Sequence, residues 1–211
     1  GYSLGATIEL LSPWLLSSYT NIVASVSYIK YFSAPWGKNH GISTYITCAT
    51  NLGPDYVETF RLGGSFGSSI FSGTTDKYHQ LRGFPVAVFQ GSGYTVASME
   101  YAFPLYRVNR GLGNFPLFLS RFDINFFFDI GKMFIPDELH GLVTQFYMPF
   151  YKDIFSTFSS GLGGEILIRM IIGWEVPITT RIGFAFGIVD PYGVGYSTSA
   201  DAFYMVLGTF L

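Results

Sequence analysis

The tetrapeptide Leu81-Arg82-Gly83-Phe84 puts a lone arginine in a Gly/Ser-rich stretch between two amphipathic segments, and two carboxylates, Glu100 and Asp129, follow it. A guanidinium carries five donors in a rigid fork that matches carboxylates bidentately, so an arginine at a loop tip facing two acids has the makings of an ion-pair clamp. Gly83 supplies the backbone freedom that a tight tip requires. Taken singly, the tetrapeptide reads as a surface turn with a solvated arginine, and Asp129 as one more carboxylate on a polar face. Strand counting changes the balance, because it turns Glu100 and Asp129 toward the same side of two successive strands.

Other chemistry finds little support. His40, His79 and His140 lie in or beside connecting segments with no second ligand at metal spacing, so loop histidines are the plainer reading and no metal site is expected. Gly91-Ser92-Gly93 lacks the third glycine and following helix of a dinucleotide loop. The expectation is a protein that is not an enzyme and has no cofactor. A formal charge of −2 gives no basic face for nucleic acid, and the single Cys48 rules out an intrachain disulfide.

The elements that must position Arg82 are strands. Of the 211 residues 49% are hydrophobic, 19% aromatic and only 12% charged, too apolar for an ordinary soluble surface. Yet no run approaches the length of a transmembrane helix. The apolar residues alternate instead, which fits a membrane β-barrel whose backbone groups all find partners within the sheet. In 117–132, Phe118, Phe122, Ile124, Phe126, Phe128 and Ile130 oppose Arg121, Asp123, Asn125, Asp129 and Gly131. In 161–174, Ile166, Ile168, Met170, Ile172 and Trp174 oppose Glu165 and Arg169; in 178–189, Ile182, Phe184, Phe186 and Ile188 oppose Arg181, Gly183, Ala185 and Gly187. In 94–103, Thr95, Ala97, Met99, Tyr101 and Phe103 oppose Ser98 and Glu100. Small residues on the inner face leave room for something inside.

Weaker strands are predicted at 2–11, 19–32, 40–50 and 57–70, and a last one at 201–211, giving about nine. Their connections fall into two sets: 51–55, 104–116 and 175–177, and a generally longer set at 33–40, 71–93, 133–160 and 189–200. Short turns belong on the periplasmic side of a bacterial barrel, so the longer set is predicted to be extracellular and the C-terminus periplasmic. The segment 133–160 is aromatic-rich and is read as a long outer loop that covers the mouth or carries a short helix.

With these residues in view, the chain resembles the C-terminal part of the BamA-type superfamily of outer-membrane assembly and polypeptide-transport barrels. Leu81-Arg82-Gly83-Phe84 is similar to the family's V-R-G-F/Y motif at the tip of its sixth extracellular loop. Phe127-x-Asp129-x-Gly131 resembles its inner-wall F-x-D-x-G strand, and Glu100 falls where the family has an acidic residue. The end of the chain, with Phe203, Leu207, Gly208, Phe210 and Leu211, resembles the outer-membrane β-signal, although it finishes on leucine where the family has an aromatic residue.

The resemblance implies an all-β fold, a transmembrane antiparallel β-barrel of which residues 1–211 supply about nine C-terminal strands of sixteen. A loop at about 71–93 would fold inward, and a lateral seam would involve the last strand. It also implies partners: outer-membrane lipid, unfolded outer-membrane client proteins, the N-terminal half of the barrel, and periplasmic POTRA domains or accessory proteins. The chain opens at Gly1 with no charged n-region or apolar h-region, so the expectation is that a signal peptide was removed or that this is one piece of a longer protein. The implied function is insertion of β-barrel clients at the seam, in a Gram-negative outer membrane or its organelle counterpart. A secretion pore of the same superfamily and a passive porin or structural barrel stand as alternatives.

Overall fold

The computed structural model describes residues 1–15, 17–18, 20–37, 39–52, 60–65, 78–111, 113–134, 158–173, 175–189 and 203–208. The chain is all-β. Strands β1 (Tyr2–Leu11), β2 (Asn21–Ser33) and β3 (Gly41–Asn51) are followed by three short ones, β4 (Phe60–Leu62), β5 (Tyr78–His79) and β6 (Phe89–Gly91). Then come β7 (Gly93–Gly111), β8 (Leu117–Phe134), β9 (Ser159–Ile172), β10 (Val176–Val189) and β11 (Phe203–Gly208). Eight of them form one sheet, in the order β1-β2-β3-β7-β8-β9-β10-β11, with every neighbouring pair antiparallel. The sheet is open: among the described residues β1 and β11 are edges. No described helix is long and apolar enough to cross a membrane, which says nothing about strands.

The sheet corrects the predicted strand at 57–70. β3 pairs directly with β7, so that stretch does not come between them, and the main sheet numbers eight strands among the described residues and not nine. Among its described residues Phe60–Leu62 is a strand, in a separate three-stranded sheet β5-β4-β6. The inserted segment therefore begins just after Asn51 and runs to Ser92, well before the predicted 71–93. Removing one strand also changes which connections share an edge. Residues 34–40, 112–116 and 173–175 join strands at one edge, and 12–20, 52–92, 135–158 and 190–202 at the other. The segment 33–40, predicted among the outer loops, thus sits with the short turns, and 51–55 opens the longest connection. Most of 133–160, with His140, and Trp174, Phe210 and Leu211 lie outside the described residues.

One other boundary moves. β7 continues to Gly111, past the predicted end at Phe103, with register shifts between Pro104 and Tyr106 and between Arg107 and Arg110. Pro104 is tolerated because β3 stops pairing at Ala102, so from there one side of β7 has no ladder to feed.

Register sorts the side chains into two faces. Along one line across the sheet, Lys30, Thr44, Met99, Phe128, Leu162 and Phe186 are cross-strand partners. The four apolar members at its end are 53%, 39%, 44% and 37% exposed, so this face is apolar and uncovered. The next line, Ile29, Tyr45, Ser98, Asp129, Gly161 and Gly187, turns to the opposite face, where buried polar residues collect. The inserted segment lies on that second face. Phe60, Leu62, Leu81, Phe84 and Phe89 from the insertion form a core with Val23, Ala49, Tyr94, Val96 and Met133 of the wall. The Tyr94 ring anchors it, edge-on to Phe60 at 5.1 Å and stacked on His79 at 3.8 Å between centroids. Burying these aromatic and aliphatic side chains holds the insertion against the wall without any covalent tie.

Candidate functional site

Arg82 sits where the apolar core of the insertion gives way to the polar wall, and it is almost fully buried. Its neighbours Leu81 and Phe84 are buried in the core, which fixes the backbone on both sides of the arginine. Gly83, between them, has φ +94°, and a Cβ there would lie 2.7 Å from the backbone carbonyl of Phe186 on β10. Only glycine meets both demands. On β9, a Cβ on Gly161 would collide with the carbonyl oxygen of Arg82. The tip therefore rests on bare backbone of two strands, and the small inner-face residues are what let it approach.

The guanidinium is saturated. Its Nε donates to Asp129 Oδ2 at 2.7 Å and its Nη2 to Asp129 Oδ1 at 2.7 Å, a bidentate pair, and the Arg82 backbone N–H donates to the same Oδ2 at 3.1 Å. Nη2 also donates to Ser98 Oγ at 3.0 Å, and that hydroxyl in turn donates to Asp129 Oδ1 at 2.6 Å. Nη1 lies 2.7 Å from Glu100 Oε1 and donates to Glu165 Oε1 at 3.4 Å. Below the plane, the Phe127 ring faces the guanidinium carbon at 3.6 Å from its centroid. Burial opposes the charge on Arg82, but the hydrogen bond and charge of Asp129, then the charges of Glu100 and Glu165, outweigh it and hold the guanidinium pKa above its ordinary value.

Each strand supplies its part by parity. Ser98 and Glu100 are two apart on β7, and Phe127 and Asp129 two apart on β8; Ser98 pairs with Asp129 and Glu100 with Phe127. The structure thus brings together Arg82, Glu100 and Asp129, with Gly83 and Gly131 as close-packing positions; a Cβ on Gly131 would meet Leu62 at 3.1 Å. It adds Ser98, Phe127 and Glu165, which sequence reasoning left on the inner face without assigning them to the arginine. The signal for Glu165 was its place on a predicted inner face behind Gly161-x-Gly163, where small residues admit the tip. At the other end of the chain, Phe203 is exposed on the apolar face, and Leu207 and Gly208 pair through their backbones with Thr180 and Thr179.

All three guanidinium nitrogens are engaged by protein oxygens, leaving no fork for an anionic ligand. Among the described residues no group of three His, Cys, Asp or Glu could hold a metal. Beside the clamp, a cavity of about 270 Å³ is bounded by Tyr31, Tyr45, Gln80, Glu100 and Arg181 among others. The fold and site define a class, an open antiparallel β-sheet with an inserted segment ion-paired to its polar face. No protein-family model and no curated protein matches the chain.

Proposed function

We propose that this sheet is part of the wall of a transmembrane β-barrel in a Gram-negative outer membrane, and that the barrel inserts client β-barrels through a lateral seam. The observation that carries it is the Arg82 clamp between an inward-lying segment and the polar side of the wall. The two faces support the membrane part: apolar residues uncovered on one side and charged ones gathered on the other is the reverse of a soluble sandwich, and it suits lipid outside and lumen inside. The open edges support the seam. Unpaired main-chain groups at β1 and β11 would be covered by further strands of the barrel, or, when the seam parts, by a client strand adding through main-chain hydrogen bonds.

Under this reading Leu81, Arg82, Gly83 and Phe84 keep the segment 52–92 inside the lumen, Glu100, Asp129 and Gly131 form its seat, and the stretch from Phe203 to Leu211 closes the seam. Chemistry is not required of any residue. The test is insertion of a client barrel into vesicles by the intact protein carrying Arg82→Ala. Client insertion and segment protease resistance both unchanged from the parent would sink the clamp role. A secretion pore of similar build would instead pass polypeptide across the membrane. Large, steady single-channel conductance unaltered by Arg82 substitution would favour a passive porin.

A further inference from the structure

The clamp does not end at Arg82. Glu165 Oε1, which accepts from Arg82 Nη1, also accepts from the Tyr204 hydroxyl at 2.6 Å, and Tyr204 belongs to the edge strand β11. Register explains the reach. Asn125, Glu165, Gly183 and Tyr204 are successive cross-strand partners on β8, β9, β10 and β11. The position between Glu165 and Tyr204 is a glycine, so the phenol crosses β10 over bare backbone. A Cβ on Gly183 would lie 2.8 Å from Glu165 Cγ and 3.1 Å from Tyr204 Cζ, closing that path. The other Glu165 oxygen is held by Asn125 Nδ2 at 3.2 Å and faces Arg181 Nη1 at 3.7 Å, so the carboxylate is fixed from both sides.

From this geometry we infer that Tyr204 is a positioning residue that ties β11 to the Arg82 clamp through Glu165, so that seating of the inserted segment and pairing of the edge strand are energetically coupled. Among the described residues β11 is an edge strand, paired with β10 and with no strand on its far side. Glu165 is the hinge of the coupling, because one oxygen serves both donors and is almost fully buried. If Tyr204 leaves, Arg82 faces a carboxylate that has lost a charge-assisted hydrogen bond. If Arg82 leaves, Glu165 loses a cation and holds Tyr204 in a different field. The inference rests on the sheet and the clamp alone and stands whichever cargo the barrel handles.

Amide exchange on the intact, membrane-embedded protein tests it at two segments, 78–91 of the insertion and 203–208 of β11. Tyr204→Phe keeps the ring over Gly183 and deletes one hydroxyl bonded to a charged partner, so exchange should rise about tenfold at both segments. Arg82→Ala should raise exchange at 203–208 as well, although its partners sit on β7, β8 and β9. Gly183→Ala, which changes no hydrogen-bonding group, should reproduce Tyr204→Phe by displacing the phenol. A hydroxyl that only glues β11 locally would speed exchange at 203–208 and leave 78–91 protected, and that result overturns the coupling. So does Arg82→Ala with 203–208 unchanged. Met205→Leu, on the exposed apolar face of the same strand, is the control and should move neither segment.

Discussion

Replacing Arg82 by alanine is the most direct challenge to the clamp. The substitution removes the bidentate pair with Asp129, the contacts to Ser98, Glu100 and Glu165, and the cation over Phe127. It leaves the backbone N–H bond to Asp129 in place. The cost is set by what remains. Glu100, with its side chain 29% exposed, regains water, but Asp129, 1% exposed, stays buried without its cation, and Glu165, also 1% exposed, keeps only the longer contact with Arg181 at 3.7 Å. Removing one member of a buried ion pair costs about 3–5 kcal/mol, chiefly for the charges left behind. At roughly 1.4 kcal/mol per decade that raises opening of the insertion some hundred- to several-thousandfold. The retained backbone bond and the water available to Glu100 place the expectation near the lower end. Amide exchange across 78–91, with protease nicking as a second readout, measures it. Arg82→Lys keeps the charge and loses the fork and the flat stacking surface, so it should fall between parent and alanine. An Arg82→Ala effect below about fivefold, or equal effects of lysine and alanine, would refute the view that a saturated bidentate network holds the segment.

Asp129→Asn should loosen the insertion more than Glu100→Gln, because Asp129 is buried and bidentate while Glu100 is partly solvated; the order of protease half-lives checks this. Gly161→Ala should unseat the tip with no change of charge, by driving a methyl group into the Arg82 carbonyl, at about 1–3 kcal/mol of overpacking read by the same exchange experiment. Leu162→Arg, on the uncovered apolar face, should destabilise the sheet in a bilayer by about 2–4 kcal/mol in denaturant titration. A value within about 0.5 kcal/mol would mean that this face meets water.

Strand parity is a local property, and it carried much of the site. A period of two fixes which residues share a face as soon as a strand is recognised, so Glu100, Asp129 and the glycines at 131, 183 and 187 were legible from the sequence as sharing the polar face, and Arg82 as an arginine wanting a partner. The apolar face of 166–172 and 182–188 was legible for the same reason. Parity says nothing about which strands are neighbours or how far one slides along the next. Whether 57–70 is wall or insertion depends on β3 finding β7, a pairing between segments some forty residues apart that no local pattern records. The same holds for Glu165 and Tyr204. Their types and faces are written in the chain, but only the registers of β8, β9, β10 and β11 put them in one row over Gly183, within reach of Arg82. The sequence by itself determined a lone arginine, the acids on a polar face and the apolar face opposite. Tertiary structure decided that the arginine is buried among three carboxylates and joined to the last strand, because register and burial are set by distant segments packing together.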